Sequence, residues 1–103
     1  MVRIRLAGVL AGLLAVGLGG CGPPQIGADR DSFKAVDALY TAVSLRDPRL
    51  LDQCAKTLQD LQAKGKLPPA AGESLEAHVA EARTGRWESA QSRLGDFMRG
   101  QRR

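Results

Sequence analysis

The chain has few of the residue types from which metal centres, disulfide scaffolds and nucleic-acid surfaces are built. It contains one histidine, two cysteines and four aromatic side chains of Trp, Tyr and Phe among 103 residues. One histidine excludes a di-metal helix bundle, which needs Glu-x-x-His from two helices. Few aromatics and a formal charge of only +4 leave no clustered basic, base-stacking surface. We therefore expect no metal and no nucleic-acid partner.

Catalytic and phosphate-binding motifs are also missing from the sequence. No Gly-x-Ser-x-Gly element positions a serine nucleophile, and no glycine-rich phosphate loop occurs after residue 21. Alternating apolar and polar residues never run far enough for a strand. These absences predict an all-α protein that is not an enzyme and binds no cofactor.

The first 21 residues have the three-part layout of a secretory signal. Arg3 and Arg5 precede an apolar run over residues 6–18, and small residues follow directly before Cys21. A transmembrane helix needs about 20 apolar residues. The run is shorter and contains several glycines, which weaken a helix. An uncleaved membrane anchor is therefore the weaker interpretation.

The sequence Leu18-Gly19-Gly20-Cys21 resembles the signal of a bacterial lipoprotein. The resemblance implies cleavage between Gly20 and Cys21 and acylation of the cysteine sulfur, for example with palmitate. It also implies a lipid-anchored protein of the cell envelope. The residue after the cysteine is Gly22 and not Asp, which by the same resemblance implies sorting to the outer membrane if the host has one. An ordinary secretory signal remains the alternative, because Ala15-Val16-Gly17 also supplies small residues.

These features divide the chain into residues 1–20 as the signal peptide, 21–30 as the acylated cysteine with a flexible tether, and 31–103 as a helical domain. The tether is expected because prolines and glycines deny residues 22–28 regular structure. Removal of Arg3 and Arg5 with the signal lowers the net charge to +2. If Cys21 is acylated, Cys54 is the only free thiol. Cys54 is then either a reactive group or a small buried hydrophobic side chain.

From Asp31 onward, apolar residues recur at helical spacing in four segments. The stripes are Phe33, Val36, Tyr40 and Val43; Leu51, Cys54, Leu58 and Leu61; Leu75, Val79 and Ala82; and Trp87, Ala90, Leu94 and Phe97. Asp47-Pro48 and Pro68-Pro69 are typical helix starts, and Gly65 and Gly85 are typical residues after helix ends. The pattern predicts two helical hairpins forming a small four-helix bundle or a tetratricopeptide-like pair, with Trp87 in the core.

The second hairpin carries the tetratricopeptide resemblance. Gly85-Arg86-Trp87-Glu88-Ser89-Ala90 is similar to the Gly-x-aromatic-x-x-Ala turn that joins the two helices of such a repeat. By that resemblance Gly85 forms the tight turn, Trp87 fills the hairpin and Ala90 lets the helices approach. The two hairpins also match each other weakly, at offsets of 36 and 39 residues. Two repeats are too few for an open solenoid.

Three functions remain compatible with the sequence. The favoured one is a lipid-anchored interaction or scaffold module with a protein partner in the envelope. A structural or self-associating spacer is the second, and a weaker third is a metal or haem carrier that uses His78, with Met98 as a second haem ligand. Arg93, Arg99, Arg102 and Arg103 make the C-terminal end basic, which suits either a helix C-terminus or anionic lipid near the anchor. The oligomeric state is left open.

Replacing Cys21 by Ser should abolish acylation, because the serine hydroxyl does not take the place of the thiol sulfur. Labelled palmitate fed to cells should enter the natural chain and not the Cys21→Ser variant. A Cys54→Ser variant is the matched control and should label like the parent. Equal labelling of parent and Cys21→Ser would overturn the lipoprotein assignment.

Overall fold

A computed structural model describes residues 22–102 of the chain. Within this part, regular secondary structure consists of four α-helices: α1 Arg30–Ser44, α2 Pro48–Ala63, α3 Pro69–Arg83 and α4 Trp87–Arg99. Residues 22–102 contain no strand. The all-α prediction is confirmed. None of these helices combines the length and apolarity that crossing a bilayer requires.

Side-chain caps and prolines determine where three of the helices begin. Asp29 accepts a hydrogen bond from the backbone N–H of Ser32 at 2.9 Å, and Asp47 accepts from the N–H groups of Arg49 and Leu50. These bonds satisfy amides that have no partner within the helix. Pro48 opens α2 and Pro69 opens α3, where the missing N–H costs nothing.

The turns between helices use left-handed backbone conformations. Gly65 and Gly85 follow α2 and α3 with φ of 76° and 89°. The turn between α1 and α2 places Arg46 in the same region, with φ of 53°. A side chain makes this conformation less favourable than it is for glycine. Asp47 and Pro48 then start the next helix immediately, so the α1–α2 turn is as short as the glycine-containing turn before α4.

The four helices close into a ring in which each contacts two neighbours. Helix α1 packs against α2 and α4, and α3 packs against the same two helices. This is the four-helix bundle, one of the two arrangements that the sequence left open. Its core combines the predicted stripes with residues outside them: Ile26, Val36, Leu39, Val43, Leu51, Leu58, Leu61, Leu67, Leu75, Val79, Leu94 and Phe97 are all buried.

The segment before α1 differs from the expected tether. Residues 22–29 have no regular secondary structure, but Ile26 is 1% exposed and belongs to the core. Its backbone N–H donates to Oε1 of Gln101 at 2.7 Å, while Nε2 of Gln101 donates to the carbonyl of Pro24 at 2.9 Å. Nε2 of Gln25 donates to the carbonyl of Gly100 at 3.0 Å. The packed domain therefore begins before residue 31, because these bonds hold the segment against the end of α4.

The bundle has two chemically different ends. At the termini end, residues 25 and 26 are bonded to residues 100 and 101, and the first turn of α1 contacts the α2–α3 connection, where Ser32 Oγ donates to the carbonyl of Lys66 at 2.9 Å. The opposite end, called the Trp87 end, carries the turns at residues 45–47 and 84–86. Helices of 13 to 16 residues separate the two ends by about 20 Å.

Replacing Ile26 by Ala should lower the free energy of unfolding by about 2–5 kcal/mol, the range for truncating a buried aliphatic side chain. Leu94→Ala, at a position 0% exposed, should cost a similar amount. Denaturant unfolding followed by far-UV circular dichroism measures both.

Leu45→Ala is the matched control for these two substitutions. Leu45 is 63% exposed, so its truncation should change the free energy of unfolding by no more than about 0.5 kcal/mol. If Ile26→Ala unfolds at the same denaturant concentration as the parent while Leu94→Ala does not, residues 22–29 are not part of the packed domain.

Candidate functional site

An open cleft of about 360 Å³ lies at the Trp87 end, between the start of α2 and the end of α3. It is lined by Pro48, Leu51, Asp52, Ala82, Arg83, Gly85 and Trp87. Leu51 and Ala82 are each 1% exposed and belong to the core, so the floor of the cleft is apolar. The cleft therefore gives solvent access to the edge of the hydrophobic core at this end.

The rim of the cleft carries an ion pair between α2 and α3. Arg83 Nη2 lies 3.0 Å from Asp52 Oδ1, and both side chains are more than half exposed. Exposed ion pairs of this kind contribute about 0–1 kcal/mol to stability. The pair can therefore open at little cost and offer one positive and one negative group to an incoming partner.

Trp87 lies at the edge of the core. The sequence pattern placed it inside the core, but the side chain is half-buried and packs against the buried cluster. The physical reason is its position as the first residue of α4. At this position no preceding turn of α4 can cover the side chain. A partly exposed tryptophan beside an apolar floor is typical of a binding residue.

The other two residues of the predicted turn lie in environments that suit the roles proposed for them. Gly85 has φ of 89°, and a Cβ added there would meet nothing within 4 Å. The requirement for glycine is thus conformational and not steric. Ala90 is 0% exposed, in the part of α4 that packs against the rest of the bundle. Together these residues fix the position of Trp87 relative to the end of α3.

Leu45 was not singled out in the sequence, because it lies outside the helical stripes. It follows α1 in the turn at the Trp87 end and is 63% exposed, the one large hydrophobic side chain so exposed among residues 22–102. A leucine at a turn position, next to a charged residue and off the apolar stripe, is the signal that could have identified it. Leu45 adds apolar surface to the end that carries the cleft.

His78 lies on another surface, between α3 and α4. Its ring makes an edge-on contact with Phe97, with the ring centroids 6.0 Å apart. Nearby, Glu81 accepts a hydrogen bond from Ser89 Oγ at 2.6 Å and lies 3.6 Å from Nε of Arg93. Burial lowers the pKa of His78, Arg93 lowers it further, and Glu81 opposes both effects. His78 is therefore mostly neutral at pH 7.

The metal and haem hypotheses depend on residues that lie in different surroundings. His78 lines clefts with Glu81 and Arg93, whereas Met98 lines a small cavity with Ile26, Phe33 and Val36. Among residues 22–102, no group of three or more His, Cys, Asp or Glu side chains could hold a metal ion. These contacts give no support to a site built on His78 and Met98.

Cys54 is a free, half-buried thiol that packs against the core. Burial raises its pKa, so the reactive thiolate is scarce at neutral pH. This environment is closer to that of a small hydrophobic side chain than to that of a reactive cysteine. The residues proposed for signal cleavage and lipidation, Gly20 and Cys21, lie outside the described part of the chain, as does Arg103.

Comparison with known families and proteins gives no relative from which a function could be carried over. No family model matches the chain, and no curated protein or solved structure matches it. We therefore infer the function from the geometry of the two ends of the bundle.

An NMR titration of His78 should give a pKa below the ordinary value of about 6.5, because burial disfavours the charged ring. In the unfolded chain the ring binds a proton near the ordinary value. Stability should therefore fall as the pH drops from the ordinary pKa towards the lowered one, and should not change on this account at higher pH. The measurement is the free energy of unfolding across this range.

His78→Gln is the control for the titration, because it removes the ionisable ring and leaves the carboxylates in place. The difference in stability between parent and variant isolates the contribution of His78. A difference that does not vary with pH, or a titration at or above the ordinary value, would contradict the burial described for His78.

Proposed function

We propose that the protein is a lipid-anchored interaction module of the cell envelope, without catalytic activity. In this proposal acylated Cys21 holds the termini end at a membrane, in the outer membrane if the host has one. The Trp87 end binds a protein partner. The observation that carries the proposal is the half-buried Trp87 beside an apolar cleft at the end of the bundle opposite Gly22.

The arrangement of the ends supports this proposal. Gly22 directly follows Cys21 in the sequence, and residues 23–26 are fixed against residues 100–102 by hydrogen bonds. A lipid on Cys21 would therefore hold the whole bundle through its termini end. The helices then carry the cleft about 20 Å further out, where a protein partner can reach it.

The chemistry of the cleft indicates the kind of partner. Leu51, Ala82 and the ring of Trp87 suit an apolar side chain, while Asp52 and Arg83 at the rim can each pair with an opposite charge. Tryptophan is enriched among the residues that dominate binding energy. We propose as the partner a protein segment that inserts an apolar side chain flanked by charged residues.

Self-association is the rival for the same surface. A second copy of the chain could bind to the surface of Trp87 and Leu45 in place of a different protein. The protein would then be a structural spacer. The two functions differ in the molecule that contacts Trp87 in cells, which is a different protein for the interaction module and a second copy of this chain for the spacer. Crosslinking therefore distinguishes the two functions.

Crosslinking in intact envelopes should capture a different protein, and Trp87→Ala should reduce that product about 30-fold or more, the loss expected for a hot-spot tryptophan. Arg86→Ala changes the preceding exposed residue and should leave the product unchanged. Products that contain only this chain would support the spacer function instead. If the heterologous product is undiminished in Trp87→Ala, the partner binds at a surface other than the cleft.

Folding of the variants must be checked in the same experiment. Because Trp87 is only half-buried, Trp87→Ala should cost less than the 3–5 kcal/mol of a fully buried aromatic and should leave the bundle folded. Circular dichroism measures this. Leu45→Ala provides a second test of the same end without touching the core, and should also weaken the heterologous product.

A further inference from the structure

A second open cleft, of about 340 Å³, lies at the termini end and has a different chemistry from the Trp87 cleft. It is lined by Gly27, Ala28, Arg30, Phe33 and Arg102. Two arginines therefore border a surface that is otherwise made of small residues and an aromatic ring. The segment before α1, the first turn of α1 and the C-terminal residues all contribute to it.

Hydrogen bonds across the termini bring the two arginines together. The backbone N–H of Arg102 donates to Oε1 of Gln25 at 2.8 Å, and Gln101 is bonded to Pro24 and Ile26. Arg30 follows Asp29, whose carboxylate is the N-cap of α1. Both arginines are thus attached to fixed backbone although they lie 72 positions apart in the sequence.

The charges of the two arginines are not used within the described chain. Neither Arg30 nor Arg102 belongs to an ion pair among residues 22–102. The acidic neighbours of Arg30 act on Lys66: Asp31 lies 3.1 Å from Lys66 Nζ, and Asp31 together with Asp29 raises the pKa of Lys66.

Several other exposed charges at this end form ion pairs. Lys64 pairs with Asp60, and Arg99 pairs with Asp96. Arg30 and Arg102 are therefore the cations without an ion pair that line this cleft; Lys34, also exposed and outside these ion pairs, does not line it. A surface with this charge and a partly apolar lining is complementary to anionic phospholipid head groups.

We propose that the cleft of Arg30 and Arg102 docks on the anionic surface of the bilayer that carries the lipid anchor. The inference rests on the proposed anchoring through Cys21, since Gly22, the neighbour of that cysteine, begins the segment that forms one wall of the cleft. The acyl chains attach the protein to any bilayer. The arginines select an anionic one and hold the bundle upright, with the Trp87 cleft directed away from the membrane.

The test uses the full acylated chain reconstituted into vesicles, with a fluorescent reporter at each end. The natural chain has a single tryptophan, Trp87, which reports on the far end. The double substitution Trp87→Phe with Phe33→Trp moves the only indole to the docking cleft. Lipids with brominated acyl chains quench an indole only when it is close to the bilayer.

The reporter at position 33 should be quenched in vesicles of phosphatidylcholine mixed with phosphatidylglycerol, and much less in vesicles of phosphatidylcholine alone. An arginine near an anionic surface contributes about fivefold to the binding equilibrium. Arg30→Gln with Arg102→Gln should therefore reduce the docked-to-undocked ratio about 30-fold. The natural Trp87 should remain unquenched in both kinds of vesicle.

Arg46→Gln with Arg86→Gln is the matched control, since it removes the same charge from the Trp87 end and should leave the quenching unchanged. Equal quenching at position 33 in both kinds of vesicle, no quenching there, or quenching that survives loss of Arg30 and Arg102 would overturn the docking proposal. Failure of the anchor looks different, because the chain would then lack labelled palmitate and would not remain with vesicles of either composition. Circular dichroism of each variant confirms that the comparison is between folded proteins.

Discussion

The packing of α1 against α4 is the contact on which the rest of the structure depends. It closes two hairpins into a ring and places both ends of the described chain at one end of the bundle. At this contact Gly95 of α4 is buried beside Tyr40 of α1, and a Cβ added at Gly95 would lie at an ordinary contact distance of 3.7 Å from the Tyr40 ring. Gln91 adds a polar contact by donating to Ser44 Oγ at 3.2 Å. Without this closure, the core surfaces of α1 and α4 would be open to water.

Closure also explains why apolar side chains reach solvent at the ends of the bundle. Each helix covers the apolar stripes of its two neighbours, which leaves mainly polar residues along the sides. At the ends no helix covers the last turn, so apolar side chains such as Leu45 and the ring of Trp87 meet solvent there. The two ends then diverge in charge and lining according to the loops that form them. A small bundle can in this way carry two different surfaces.

The sequence was a good guide to local structure and a poorer one to what the connecting segments contact. Helix starts at Asp47-Pro48 and turns at Gly65 and Gly85 follow from the conformations that single residues favour, and the structure has them where expected. The burial of Ile26 depends on bonds between Gln25 and Gly100, 75 positions apart, which no local pattern reveals. Trp87 fits the apolar stripe of α4, but a stripe does not show whether its first residue is covered. The exposure of Leu45 and the presence of Arg30 and Arg102 in one cleft were also missed, because local patterns do not show which segments meet in the folded chain.

The hydrogen bonds between residues 24–26 and residues 100–102 determine how a mechanical load would enter the bundle. A lipid attached beside Gly22 would transmit any pull to residues 23–26, which are bonded to Gly100, Gln101 and Arg102. There is also no room for a side chain at Gly100, where the ring of Pro23 lies 2.5 Å from the position of a Cβ. The force would thus act on α1 and α4 together, and several hydrogen bonds would have to break at once. Helix α1 would not separate from the bundle one turn at a time.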